Sequence, residues 1–447
     1  MSDGFSGASE GWPDLPVRYT PIEEVVQKLE RTLRHSVEQQ RDGGQEEQGV
    51  RRFRMLNGGL TNRACLLTLS RARLVVRLLD PTSAELLSIN RHDEVSASRH
   101  AATLGISPEL LLFIAPSPAS FTNSDDAEHV LAESQLGHSG SAPKGLRTGG
   151  AMVLRHVDGS TLANQDVQDL CSGQRTSDLM AFVEPIARLH LSRAGALESP
   201  SFCNEFVPRD ARVRYLRTLH KVGGETPPGY LELLPKLKVI EDALEFAEDK
   251  CPCHNDLLAA NFIRAQSETA SRIGVASSGG IRCASSRATY SIIDWELSGL
   301  GWPSFELGNL ASECELNLEQ TRHLVDAYWQ AVEAERADSS SSTAPKQESL
   351  RQQSRLARAR LWGISAKLTW VAWGCLMRLR PALEHQDGRM KEHEKDENLE
   401  EWIEIRFQAA REFLKDHEDE VQRLCRQVKE QPQAEPQNVT YLKTDSS

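Results

Sequence analysis

The chain has 447 residues and a formal net charge of −12, with 39% hydrophobic and 26% charged residues. That length allows two or three domains or one large two-lobed unit, and the apolar content excludes a collagen-like or wholly disordered chain. An acidic chain without a basic stripe argues against nucleic acid, whose backbone needs neutralising cations.

The N-terminus, MSDGFSGASEGWPD, lacks the apolar stretch of a secretion signal. The most apolar later stretch runs from Leu368 to Met377, about half of the ~20 residues a membrane span needs. Nine scattered cysteines, without a secretion signal, point to reduced thiols and a cytoplasmic protein. Cys251-Pro-Cys253 invites a metal, but no second Cys/His pair stands at zinc spacing, so plain strand thiols are the reading.

In chain order, residues 1–50 include a leader helix. Arg51 to Ser70 reads as two strands around the turn Asn57-Gly58-Gly59. Leu74 to Leu79 is a third strand, Pro81 to Leu104 a helix, and Ala151 to Val157 another strand. Helical periods then follow over Asp178–Leu191, Leu237–Glu248, Leu318–Ala334, Leu350–Leu379 and Leu399–Phe413, with a short strand pair near Cys251 and Ser291. Residues 122–150, 267–287 and 333–353 are Ser/Gly-rich and read as mobile loop insertions, and 430–447 as a disordered tail.

The segment His254-Asn-Asp-Leu-Leu-Ala-Ala-Asn261, followed by the apolar run Ile292-Ile293 closing on Asp294-Trp295-Glu296, carries the chemistry. Phosphoryl transfer needs a carboxylate to accept the proton of the attacking hydroxyl. It also needs an amide oxygen and a second carboxylate to hold Mg²⁺ on the phosphates. Asp and Asn are common in turns, so each piece alone is weak. The ordered set is not.

These stretches, with Asn57-Gly-Gly-Leu-Thr-Asn62, Val75-Val-Arg77, Ile89 to Glu94 and Gly308-Asn309, resemble the choline/ethanolamine kinase family, within the aminoglycoside-phosphotransferase and protein-kinase-like fold. The resemblance spans roughly residues 50–413 less the insertions. It implies an α+β, two-lobed fold: a small N-terminal antiparallel β-sheet lobe (1–156) that clamps ATP, and a larger, mainly helical lobe (157–447). It implies Asp256 as catalytic base, His254 as the brace of its loop, and Asn261 and Asp294 as Mg²⁺ ligands. Gly58, Gly59, Thr61 and Asn62 match the turn over the nucleotide phosphates. Arg77 matches the phosphate-contacting cation and Glu94 its ion-pair partner. Two departures stand out: Ala260 where Gly is common, and Glu306 where Asp is common.

Trp370 and Trp373 share a helix face and match the choline-site wall, while Trp402 stands where the family has Tyr. A quaternary ammonium donates no hydrogen bond and is held over aromatic faces, with Glu296 or Glu306 adding Coulomb attraction. Glu296 equally suits a metal or a loop cap. The tryptophans read equally as core, Asn57-Gly58-Gly59 as an ordinary hairpin, and Arg77 as an edge charge. The expected activity is ATP-dependent phosphorylation of a small amino alcohol, choline first. Ethanolamine, thiamine or an aminoglycoside is the alternative acceptor, and a catalytically silent binding module the alternative class. The family includes homodimers, though no dimer seam is legible.

Overall fold

The computed structural model describes residues 20, 24–29, 31, 50–56, 62–69, 72–118, 147–192, 202, 204–265, 288–336, 345–379 and 397–429. The chain divides into two compact units, Met1–Asp158 and Gly159–Ser447.

The first unit is built on a five-stranded antiparallel sheet. Its strands are β1 (Val50–Leu56), β2 (Asn62–Leu69), β3 (Arg73–Leu79), β4 (Leu110–Ile114) and β5 (Ala151–Arg155), in the order β1-β2-β3-β5-β4. Alternation explains the sheet's sidedness. Cys65, Leu67 and Leu69 of β2 and Leu74, Val76 and Leu78 of β3 bury one face against Val25 and Leu29 of a short helix α1 (24–29).

The helix read over 81–104 is two helices, α2 (Pro81–Leu87) and α3 (Arg91–Thr103). Ser88 is left-handed at φ 58°, and Asn90 caps α3 by accepting from the His92 amide at 3.0 Å. Each helix thereby satisfies its own end. β4 was absent from the sequence reading, because Leu110-Leu-Leu-Phe-Ile114 carries no alternation.

The second unit opens with β6 (Gly159–Thr161) and helices α4 (Asn164–Leu170), α5 (Thr176–Leu191), α6 (Pro208–Lys221) and α7 (Tyr230–Leu244). Two small antiparallel sheets follow, built on β7 (Cys251–Cys253), β8 (Phe262–Ala265), β9 (Tyr290–Ile292) and β10 (Gly299–Gly301). One is ordered β9-β8-β6, the other β10-β7. The chain then continues through α8 (Pro303–Glu313), α9 (Leu318–Glu335), α10 (Pro345–Arg378), α11 (Glu397–Asp416) and α12 (Glu418–Lys429).

α10 is the spine, packing on α6, α8, α11 and α12. It crosses α8 where glycine faces glycine: a Cβ on Gly308 would lie 2.2 Å from the Ala359 carbonyl oxygen and 2.8 Å from the Gly363 amide. Arg212 of α6 forks onto Glu241 of α7 at 2.9 and 2.8 Å, and Ser365 of α10 donates to the same carboxylate at 2.6 Å. A buried charge is tolerable when it is paired and hydrogen-bonded in this way.

The insertion read over 333–353 is a correction. α9 runs to Glu335 and α10 starts at Pro345, so helix occupies both flanks and only 337–344 lie outside the described residues. Most of the 122–150 stretch, all of 267–287 and the tail 430–447 also lie outside them. The seven cysteines among the described residues are unbridged. Among the described residues, no helix is long and apolar enough to cross a membrane.

Candidate active site

Within the second unit, β7 delivers the chain into a loop from His254 to Leu258, a 3₁₀ turn over Ala259–Asn261, and then β8. Antiparallel pairing of β8 with β9, Phe262 opposite Ile292, brings the end of β9 beside that turn. The Ile293 amide donates to the Asn261 carbonyl at 2.9 Å. Asp256, Asn261 and Asp294 are thereby gathered from two separated segments.

The loop is pinned at several points. The Asp256 amide donates to His254 Nδ1 at 3.3 Å, so His254 Nε2 carries the proton and donates to the Ile293 carbonyl at 2.9 Å. Trp295 packs edge-on against the His254 ring at 4.8 Å. Asn261 Nδ2 donates to the Asp256 carbonyl at 2.9 Å, which points its Oδ1 away from the loop backbone. Asn309 Nδ2 donates to the Leu257 carbonyl at 3.0 Å, and the Trp370 indole donates to Asn309 Oδ1 at 2.6 Å.

Asn255 and Asp294 sit at φ 65° and 69°. Short Asx side chains are the non-glycine residues that enter the left-handed region most readily. The two outliers fall at the loop and at the strand end that together carry the acids, where backbone strain re-aims a side chain. Ala260 is not among the positive-φ residues, so the missing glycine costs nothing there.

Burial raises the Asp256 carboxyl well above the usual carboxylate range, and Asp294, Glu296, Glu313 and Glu306 raise it further. Like charges in a small volume disfavour ionisation. An amide oxygen and several carboxylates are hard donors of the kind Mg²⁺ prefers, so the residues present fit that ion.

Glu306 is a correction. Expected beside an acceptor, it is fully buried, takes the Asn255 amide on Oε1 at 2.6 Å and meets His190 Nε2 with Oε2 at 2.6 Å. Its position in the first turn of α8 turns the carboxylate onto the loop, so it positions backbone. The tryptophans form a chain: Trp370 and Trp373 are 6.4 Å apart, Trp373 and Trp402 5.9 Å, both edge-to-face. Trp370 is buried, stacked on Phe206 at 6.3 Å, whereas Trp373 and Trp402 are partly exposed.

Two partners escaped the sequence reading, Glu313 and Arg406, and Asn309 was read there only as part of a matching stretch: Arg406 binds Glu313 through Nε at 3.2 Å and Nη2 at 2.7 Å and lies 3.9 Å over the Trp402 ring. The signal available was the spacing Glu306, Asn309, Glu313, which places all three on one face of α8.

In the first unit, Arg77 Nη1 donates to Glu94 Oε1 at 2.7 Å, and Arg91 Nη1 to Glu94 Oε2 at 2.7 Å. Arg91 Nη2 also reaches Asn62 Oδ1 at 3.0 Å. Glu94 is fully buried, which holds both cations. Gly58, Gly59 and Thr61 lie outside the described residues.

No known protein-family profile and no curated protein sequence matches the chain. Solved structures do. A choline kinase from Cryptosporidium parvum Iowa II superposes with a TM-score of 0.53 at 14% identity, covering 83% of this chain and 90% of that one. A choline/ethanolamine kinase family protein from Mesorhizobium loti gives 0.51 at 22% identity, covering 84% and 92%. LicA in complex with AMP gives 0.50 at 16% identity, covering 87% and 99%. The chain therefore has an α+β, kinase-like fold, shared with solved members of the choline/ethanolamine kinase family.

Proposed function

We propose that the protein transfers the γ-phosphoryl group of ATP to the hydroxyl of a small alcohol. The observation that carries this reading is the convergence of Asp256 and Asn261 on one pinned loop with Asp294 at the adjoining strand end, Asp256 being pushed up by burial and then by its acidic neighbours. Asp256 accepts the hydroxyl proton of the acceptor as the oxygen attacks the phosphorus. Asn261 and Asp294 hold Mg²⁺, which when bound neutralises charge on the phosphates. Asp256 is a working base only once the charge of Asp294 and Glu296 is balanced, which ties proton acceptance to a loaded nucleotide site. Arg77, fixed by Glu94, is the cation for phosphate oxygens, and Asn62, Gly58, Gly59 and Thr61 are assigned to the same phosphates by their sequence motif. The AMP bound by LicA supports a nucleotide as donor.

Among acceptors, choline is the first reading, with Trp373 and Trp402 as wall and Trp370 behind them. One observation favours a second reading, in which the acceptor lacks a quaternary ammonium: Arg406 already covers Trp402 and already neutralises Glu313. The test is ADP formation with Mg²⁺ and a panel of choline, ethanolamine, thiamine and aminoglycosides, beside Asp256→Ala. Acceptor-dependent turnover that disappears in the variant is expected. Absence of turnover with every hydroxyl compound, together with no thermal shift on adding Mg²⁺ and ATP, would return the chain to the class of silent binding modules.

A further inference from the structure

A second cluster of metal-type donors lies behind the catalytic loop. Cys251 and Cys253 alternate along β7, so their side chains leave the same face. Their sulfurs are 3.7 Å apart. His190, in the last turn of α5, places Nε2 3.6 Å from Cys253 Sγ. The donor atoms of His190, Cys251 and Cys253 all lie within 4.8 Å of one another. Glu306 Oε2 stands 2.6 Å from the same Nε2. All four residues are buried.

We propose that His190, Cys251 and Cys253, with Glu306 as fourth donor, form a structural Zn²⁺ site that staples α5 and α8 to the strand leading into the loop.

Three observations carry it. The first is geometry. Tetrahedral zinc with Zn–S near 2.3 Å and Zn–N near 2.0–2.1 Å sets sulfur–sulfur separations of about 3.8 Å and sulfur–nitrogen separations of about 3.5 Å. The observed 3.7 and 3.6 Å match both. The second is support for the imidazole: His190 Nδ1 meets the Tyr328 hydroxyl at 2.7 Å, the kind of outer contact that fixes a ligating ring. The third is closure: four protein donors, all buried, leave no open position for water or substrate, as in a structural site.

Binding balances simply. The two thiol protons leave to solvent, and the single proton of the neutral imidazole shifts from Nε2 to Nδ1. The contact between Nε2 and Glu306 Oε2 gives way to two bonds to zinc, and His190 Nδ1–H donates to the Tyr328 oxygen. Such a buried site fills as the chain folds, so the ion has to be present during expression or refolding.

The site is independent of which acceptor is phosphorylated, so its test is separate. The full chain is expressed with zinc and, in parallel, with cobalt in the medium, and metal content and absorption are measured. About one zinc per chain is expected, with a thiolate-to-cobalt charge-transfer band in the cobalt protein. Both are lost in a Cys251→Ser/Cys253→Ser variant whose far-ultraviolet circular dichroism is unchanged. If that variant fails to fold, the cobalt spectrum of the natural chain decides alone. Metal-free protein from zinc-supplemented medium overturns the site. So does cobalt bound without the charge-transfer band, or metal that stays in the double variant and leaves in Asp294→Asn.

Discussion

The Arg406 guanidinium carbon lies 3.9 Å from the centre of the Trp402 ring while the group forks onto Glu313. One cation therefore satisfies the ring and the carboxylate that an incoming ammonium would use. Arg406→Ala should destabilise the protein by about 3–5 kcal/mol, because Glu313 stays buried without its partner. Tetramethylammonium should restore part of that loss in the variant and leave the natural chain unchanged. Thermal unfolding with and without the ion checks it, and equal protection of both proteins would show that Arg406 does not occupy the ammonium position.

Asp256 gives a pH prediction with a definite sign. Burial, then Asp294, Glu296, Glu313 and Glu306, raise its carboxyl in the folded protein. A raised folded value means its favourable contribution is complete below the unfolded carboxylate range. That contribution is lost as pH rises through the folded value. Asp256→Asn should therefore melt a few degrees above the natural chain at neutral pH, and the two should converge on acidification. Turnover should vanish in the same variant. Melting curves across pH measure this, and a variant less stable at neutral pH would contradict the crowding of charge.

Arg77 and Glu94 should separate binding from folding. Arg77→Met removes a cation aimed by a buried carboxylate and should raise KM for ATP about tenfold or more, the scale of one charge-assisted hydrogen bond. Glu94→Gln should cost more in stability than in KM, because Arg77 and Arg91 both lose their counter-charge. Steady-state kinetics beside thermal melts distinguishes the two.

Gly308→Ala tests the crossing of α8 and α10. The added methyl would meet backbone at 2.2 Å, which cannot rotate away. A loss of about 1–3 kcal/mol is expected. Because Glu306 and Asn309 flank Gly308 and hold the loop, kcat should fall with it while KM for ATP changes little.

The candidate site residues lie in short segments of the sequence. His254, Asp256 and Asn261 lie on one stretch and Asp294 follows one strand, so local spacing singled them out as candidates, and β2, β3 and most helices followed from period alone. What spacing cannot report is a partner chosen by tertiary packing. Arg406 meets Glu313 from another helix, and His190 reaches Cys251 and Cys253 from α5, so a Cys-x-Cys without a neighbouring pair read as plain thiols. The break at Ser88 was missed because a serine in the left-handed region has no sequence mark of its own. The start of α10 was hidden because the residues before it are Ser-rich.

The single face of α8 has a consequence for how the loop beside it can move. Glu306 grips the backbone at Asn255, Asn309 grips it at Leu257 and leans on Trp370, and Glu313 ends in the hand of Arg406. Sliding that rod would drag the loop that carries Asp256 with it. In the proposed reading, a new acceptor is reached more readily through Trp402 of α11, whose ring meets Trp373 and Arg406 and not the loop's hydrogen bonds.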